Sequence, residues 1–120
     1  MSRVDEGRPP RKPDDPDAFW QVDMRVGRIT VVEPFPEARV PACKVTVDFG
    51  PLGYLRTSAQ VTHYAFAELE GRLVVGAVNL GAKRIAGFKS EFLLLGAVGG
   101  DGRVRLLGPD GGAAPGDPIA

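Results

Sequence analysis

Lys83, Arg84 and Lys89 place three positive charges within seven residues, and no acidic residue interrupts them. Gly81 and Gly87 lie in and beside that stretch, and glycine lets a backbone approach a ligand closely. Charges so grouped suit phosphate, which they neutralise while displacing its counterions. The same composition also describes an ordinary solvated loop. Ser58, Gln60, Asn79, Ser90 and Glu91 stand at the ends of apolar stretches. Such side chains can hydrogen-bond base edges or riboses of unstacked nucleotides, or simply satisfy neighbouring backbone groups. Arg25, Arg28, Lys44 and Arg56 are spread over strand-like segments. Together they would line one outer sheet face and track a phosphate backbone, although each alone reads as a solvated charge.

Aromatic residues are few. Tyr54, Phe88 and Phe92 are candidates for base stacking, with Phe92 better suited to a core. Sequence-tolerant single-strand binders stack bases on aromatic side chains, so the scarcity favours recognition of a folded RNA's shape. Trp20, Phe35, Phe49 and Phe88 could instead form an exposed apolar groove for a polypeptide or a dimer partner. Phe19 and Trp20 precede the strand-rich region and need cover, for which a dimer interface is the simpler explanation.

Catalytic chemistry finds little footing. His63 is the single histidine, so a multi-histidine metal site is unavailable, and no Ser or Cys stands near it in a recognisable motif. Cys43 falls on the apolar face of an alternating segment, where a cysteine acts as a small hydrophobe. Neither a P-loop nor GxGxxG is present. These features point to a non-enzymatic protein with no cofactor and no metal.

The elements that must position these residues are short and β-rich. Asp17 is placed to cap a helical turn through Ala18, Phe19, Trp20 and Gln21. Arg25 to Val32 reads as a strand rich in Val, Ile and Thr, with Gly27 marking a bulge or a close backbone approach. Cys43 to Phe49 alternates apolar with polar residues and predicts a half-buried strand. Gly50 to Gly53 is turn chemistry, and Tyr54 to Ala59 is a third strand. Val61 to Glu70 favours a short helix that Gly71 ends. Leu73 to Val78 and Glu91 to Val98 are the fourth and fifth strands, joined by the basic connection from Asn79 to Lys89. Gly99 to Gly102 then turns the chain into Arg103 to Leu107 as a small hairpin. Five strands with a helix between the third and fourth is the order of an all-β OB-fold, a five-stranded Greek-key barrel, here with a C-terminal hairpin extension.

Composition sets the outer limits. Residues 1–16 are Pro-rich and charged, and residues 108–120 are mostly Gly, Pro, Ala and Asp. Neither stretch offers enough apolar surface to offset ordering entropy, so both are expected to be unstructured or flexible tails around a domain at 17–107. Fifteen basic residues balance fifteen acidic ones, so nucleic-acid binding would need a local basic patch. The first residues hold no apolar stretch of signal-peptide type, and the apolar runs are too short to span a membrane. With one cysteine, the expected setting is the cytoplasm, without membrane insertion.

Three stretches resemble the tRNA-binding-domain family. Val22-Asp23-Met24-Arg25-Val26-Gly27-Arg28-Ile29 is similar to the family's opening D-[LM]-R-V-G-[KR]-I. Gly71-Arg72-Leu73-Val74-Val75 followed by Val78-Asn79-Leu80 is similar to its G-[RK]-x-V-V-x-x-x-N-L strand. Lys83-Arg84-Ile85-Ala86-Gly87-Phe88-Lys89-Ser90-Glu91 is similar to the K-[MI]-x-G-x-x-S-[EQ] segment. Phe35-Pro36-Glu37-Ala38-Arg39, Asp48-Phe49-Gly50 and Ser58-Ala59-Gln60-Val61-Thr62 resemble the CsaA-type branch more closely. The chain departs from the synthetase-fused members at Phe92 and Leu93, where those carry Gly-Met, and from the CsaA loop at Gly81-Ala82, where Pro-Pro is common.

The resemblance implies an OB-fold homodimer able to bind tRNA or other structured RNA. For the CsaA branch it also implies an export-related chaperone role, with unfolded or precursor polypeptides as partners. Asn79 and Ser90 fall on matched family positions and would orient the RNA held by Lys83, Arg84 and Lys89.

Overall fold

In the computed structural model, which describes Pro13 and residues 15–120, apolar residues that alternate along the sequence become the inner face of a barrel. Strand β1 (Met24–Pro34) pairs antiparallel with β2 (Cys43–Asp48), and β2 with β3 (Tyr54–Ala59). On its other side β1 pairs with β4 (Leu73–Ala77). Cys43, Val45 and Val47 of β2 point inward, while Lys44, Thr46 and Asp48 stay partly exposed, as a side-chain period of two requires.

The chain between β4 and the end of the barrel is broken into short pieces. Among the described residues, strands β5 (Lys83–Ile85) and β6 (Phe88–Ser90) pair only with each other. Strand β7 (Leu93–Leu94) pairs with β4, completing a five-strand order β3-β2-β1-β4-β7. The two sheet edges then meet: the Glu91 N–H donates to the Arg56 carbonyl at 2.8 Å, and the buried Thr57 hydroxyl donates to the Phe92 carbonyl at 2.7 Å. The result is a nearly closed five-stranded antiparallel barrel of OB type. The expected fifth strand over 91–98 is split, because past Leu95 the chain leaves β4: β8 (Gly96–Val98) pairs with β9 (Val104–Leu106) in the anticipated hairpin. At its tip, the Arg103 N–H and the Arg105 guanidinium hold the Asp101 carboxyl below the usual carboxylate range.

Helix α1 (Phe66–Leu69) sits between β3 and β4 and is a single turn, shorter than the sequence suggests. Leu69 is fully buried and anchors it, and the Glu68 carboxylate accepts the Ala65 N–H at 2.8 Å. Phe49, Ile29, Val45, Val47, Val61 and Val74 fill the centre with it. Phe49 and Phe92 meet edge to face at 5.0 Å. Two glycines make room for them: a Cβ on Gly27 would lie 2.4 Å from Val47 Cγ1 and 2.8 Å from Phe49, and one on Gly76 would lie 2.8 Å from both rings. Gly27 is therefore a close approach, and the bulge of β1 falls between Ile29 and Val31 instead.

Three local expectations are corrected. The turn before β1 is a 3-10 helix over Pro16–Gln21, capped by Asp15 rather than Asp17. Pro16 brings no N–H, so the first donor needing a partner is that of Asp17, which the Asp15 carboxylate accepts at 2.9 Å. The connection 79–89 is not an irregular loop but holds the β5–β6 hairpin. The segment 108–120 is not an unpaired tail: Gly116 and Ile119 donate to the carbonyls of Val26 and Met24, and Asp117 accepts from Val26. Backbone pairing needs no apolar side chains, so composition carries no signal of it. Of the N-terminal stretch expected to be unstructured, residues 1–12 and 14 lie outside the described residues.

Candidate nucleic-acid interface

Ala86 and Gly87 close the β5–β6 hairpin, both with positive φ (48° and 79°). This is the type I′ pattern that matches strand twist in two-residue turns. Ala86 is the one non-glycine residue with positive φ among the described residues. The hairpin is fastened to the barrel along one face. Ser58 and Ser90 bring their Oγ atoms to 3.1 Å, and the Ser58 N–H donates to Ser90 Oγ at 3.2 Å. Arg56 and Glu91 are joined twice, since the Arg56 N–H also donates to the Glu91 carboxylate at 3.0 Å.

Phe88 packs into the same junction. Its ring meets Phe35 edge to face at 5.5 Å. The Lys44 ammonium lies 4.9 Å from the Phe35 centroid and 5.0 Å from that of Phe88, and the Arg56 guanidinium 4.9 Å from Phe88. Cations over aromatic faces at such distances are attracted by the ring quadrupole. Arg56 also pairs with Glu33 at 2.9 Å. Glu33 lies opposite Lys44 in the β1–β2 register. Its place among these basic residues depends on strand pairing, and no local motif marks it.

Thus Lys44, Arg56, Ser58, Ser90 and Glu91 converge with the basic hairpin on one side of the barrel. Lys83, Arg84 and Lys89 are exposed there, and none has an ion pair among the described residues. Arg84 Nη1 donates to the Gly87 carbonyl at 3.1 Å. Tyr54, 65% exposed, stands on β3 two residues before Arg56, on the same sheet face.

The remaining candidates lie elsewhere. Arg25 is engaged by Asp23 at 2.6 Å and by the Gly116 carbonyl at 3.1 Å, in the region of the closing segment. Arg28 donates to the Gly71 carbonyl at 2.8 Å. Asn79 accepts the Asp23 N–H at 2.8 Å and donates to the Gln21 carbonyl at 2.9 Å. Its amide therefore straps the Phe19–Trp20 turn to the barrel.

The expected aromatic groove is corrected by burial. Phe49 is fully buried, and Phe35 and Phe88 are 4% and 9% exposed, because each packs against another ring. Phe19 and Trp20 do reach the surface, at 41% and 63%. An open, largely apolar groove of about 360 Å3 lies beside Phe35, lined also by Pro36, Ala38, Arg39, Pro41 and Thr62. Burial pushes the Cys43 thiol up, which disfavours the thiolate a nucleophile needs. Among the described residues no cluster of three or more His, Cys, Asp or Glu is arranged to hold a metal, and no helix is long and apolar enough to cross a membrane.

Comparison with known proteins places this geometry in context. Residues 24–118 match a family described as "Putative tRNA binding domain". The CsaA chaperone protein of Picrophilus torridus superposes with a TM-score of 0.85 at 47% identity, over 90% of this chain and 100% of that one. Chaperone CsaA of Bacillus anthracis str. Ames gives 0.85 at 43% identity, over 91% and 100%. Methionine--tRNA ligase 1 of Sorangium cellulosum is 40% identical over 101 residues, which is 83% of this chain but 14% of the ligase. The chain thus spans about one-seventh of the ligase's length.

Proposed function

The chain belongs to the tRNA-binding domain family, and on that premise we propose that it binds tRNA without catalysis, through the β5–β6 hairpin and the adjoining face of β2 and β3. The observation that carries this reading is the convergence of the exposed Lys83, Arg84 and Lys89 with Lys44 and Arg56 on one side of the barrel. The whole chain is electrically balanced, so this local field must do the attracting. Ser58, Ser90 and Glu91 act mainly by fixing the hairpin in place, since their polar atoms already serve each other and Arg56. Asn79 likewise acts by holding the chain before β1.

The protein acts as a homodimer in this reading. Asn79 ties the Phe19–Trp20 turn beside Leu80, and Trp20 and Leu80 are 63% and 55% exposed. A second copy would cover that apolar surface. Sedimentation tests it: a stable monomer at micromolar concentration overturns the dimer.

Binding to bulk tRNA should weaken steeply with salt, because each neutralised phosphate releases counterions. The variant Lys83→Glu/Arg84→Glu should abolish binding and leave the dimer intact; retained binding would show that the surface is wrong.

The groove beside Phe35 favours a second reading, in which the protein holds unfolded or precursor polypeptides in the manner of an export chaperone. Apolar binding there would be nearly indifferent to salt and show a negative heat-capacity change. An unfolded polypeptide that competes with tRNA, or binds where tRNA does not, would make this the primary role.

A further inference from the structure

We propose that Arg84 and Lys89 form a two-pronged clamp for a single phosphate group, and that Lys83 is not part of it. The inference rests on the tRNA reading above for the source of the phosphate. The three cations are close in sequence but divided by the hairpin. Residues directly opposite in an antiparallel pair share a face, and faces alternate along each strand. Arg84 lies opposite Lys89, whereas Lys83 lies opposite Ser90 and Ile85 opposite Phe88. Ser90 and Phe88 face the barrel, where they meet Ser58, Phe35 and Arg56. Lys83 is therefore on the barrel-facing side, and Arg84 and Lys89 stand together on the outward side.

Like charges directly opposite on paired strands are destabilising, with Cβ atoms roughly 5 Å apart. A three-residue strand pair has little pairing energy to absorb that repulsion. No carboxylate among the described residues pairs with either cation. The turn adds strain, since Ala86 holds φ 48°. What keeps the pair together is the opposite face, locked by the Ser58–Ser90 contact and the packing of Phe88. The two cations are thus held near each other before any ligand arrives, which removes part of the ordering cost of binding. Arg84 spends one guanidinium nitrogen on the Gly87 carbonyl. That bond orients the fork, and its other N–H groups remain for a ligand. A guanidinium fork beside an ammonium point charge suits the two non-bridging oxygens of a phosphate.

The test compares the full chain with Lys83→Ala, Arg84→Ala, Lys89→Ala and the double variants Arg84→Ala/Lys89→Ala and Lys83→Ala/Arg84→Ala. Two readouts are taken: tRNA affinity across salt, and thermal melting in inorganic phosphate against chloride at matched ionic strength. Arg84→Ala and Lys89→Ala should each weaken tRNA binding roughly tenfold and their double variant by clearly less than the product of the two, whereas a Lys83→Ala loss, arising at a separate contact, should multiply with that of Arg84→Ala. In chloride Lys89→Ala should melt above the unaltered protein, because repulsion is relieved. Phosphate should raise the melting temperature of the unaltered protein and of Lys83→Ala, but not of the other variants. Strictly multiplicative losses for Arg84→Ala and Lys89→Ala, or a Lys83→Ala/Arg84→Ala variant that loses clearly less than the product of its two single losses, overturns the clamp. If tRNA binds but ignores both positions, the clamp fails while the tRNA reading stands. If phosphate stabilises through Arg84 and Lys89 but tRNA does not bind, the clamp stands and the tRNA reading fails. A transcript with a 5′-hydroxyl separates the sources: unchanged affinity assigns a backbone phosphodiester, and a fall to the Lys89→Ala level assigns the terminal phosphate.

Discussion

Ser58 on β3 and Ser90 on β6 bring their hydroxyl oxygens within 3.1 Å, and the backbone N–H of Ser58 donates to the Ser90 oxygen as well. Ser90 is 9% exposed. Together with the paired backbones of Arg56 and Glu91, this contact joins a two-stranded arm to a barrel whose sheet it does not share. The basic residues on the arm are exposed, yet the arm's position is set by partly buried polar contacts beneath it.

Ser90→Ala removes an acceptor and leaves the Ser58 N–H without its partner. Stability should fall by about 1–2 kcal/mol, the usual range for a lost part-buried hydrogen bond. The local consequence is larger than the global one. Hydrogen exchange should accelerate across Lys83–Ser90 before it does in β1 or β2, and tRNA affinity should drop although no charge has changed. Unaltered exchange in the hairpin would show that Phe88 packing alone holds it.

Ala86→Asn should stabilise the protein by up to about 1 kcal/mol, because asparagine tolerates the left-handed conformation that alanine resists. A thermal melt reads this as a rise of a few degrees in a domain of this size. Gly87→Ala, at φ 79°, should act in the opposite direction.

Gly76→Ala would drive a methyl group to 2.8 Å from the rings of both Phe49 and Phe92. The two rings already meet edge to face, so moving either one disturbs that contact. Overpacking of this kind costs about 1–3 kcal/mol. The near-ultraviolet dichroism of the aromatic core should weaken, and the denaturant midpoint should fall without a change in slope. An unchanged midpoint would mean that the barrel opens to accommodate the methyl group.

Glu33→Gln removes the single carboxylate that ion-pairs with the cationic face, where it holds Arg56 at 2.9 Å among the described residues. A surface ion pair contributes little to stability, so melting should shift by no more than a degree or two. Affinity for tRNA should instead rise about threefold to tenfold at low salt and converge with the unaltered protein as salt screens the face. Weaker binding would show that the pair positions Arg56 for RNA.

Much of this molecule is legible in its amino-acid sequence. The alternation from Cys43 to Phe49 specifies a half-buried strand, and β2 buries those residues. The Ala- and Leu-containing stretch before Gly71 places a helix between the third and fourth strands, where Phe66–Leu69 forms one turn. The family motifs pick out the Lys83–Glu91 segment that the structure shows as a docked arm. In each case the signal is local: side-chain periodicity, turn residues or residue types in order.

What the sequence alone does not decide is which residues meet across the chain. Asn79 reads as a residue that would orient RNA, and only the fold shows that its amide bonds Gln21 and Asp23. Phe35, Phe49 and Phe88 read as available for a groove and are covered by one another and by Phe92. The closing segment reads as featureless and pairs with β1 through its backbone. Lys83, Arg84 and Lys89 read as one cluster, and only the register of the hairpin divides them between two faces. Composition and periodicity report how much surface a residue tends to bury. Register, backbone pairing and the direction of a side chain are set by partners tens of residues away, so tertiary structure alone determines them.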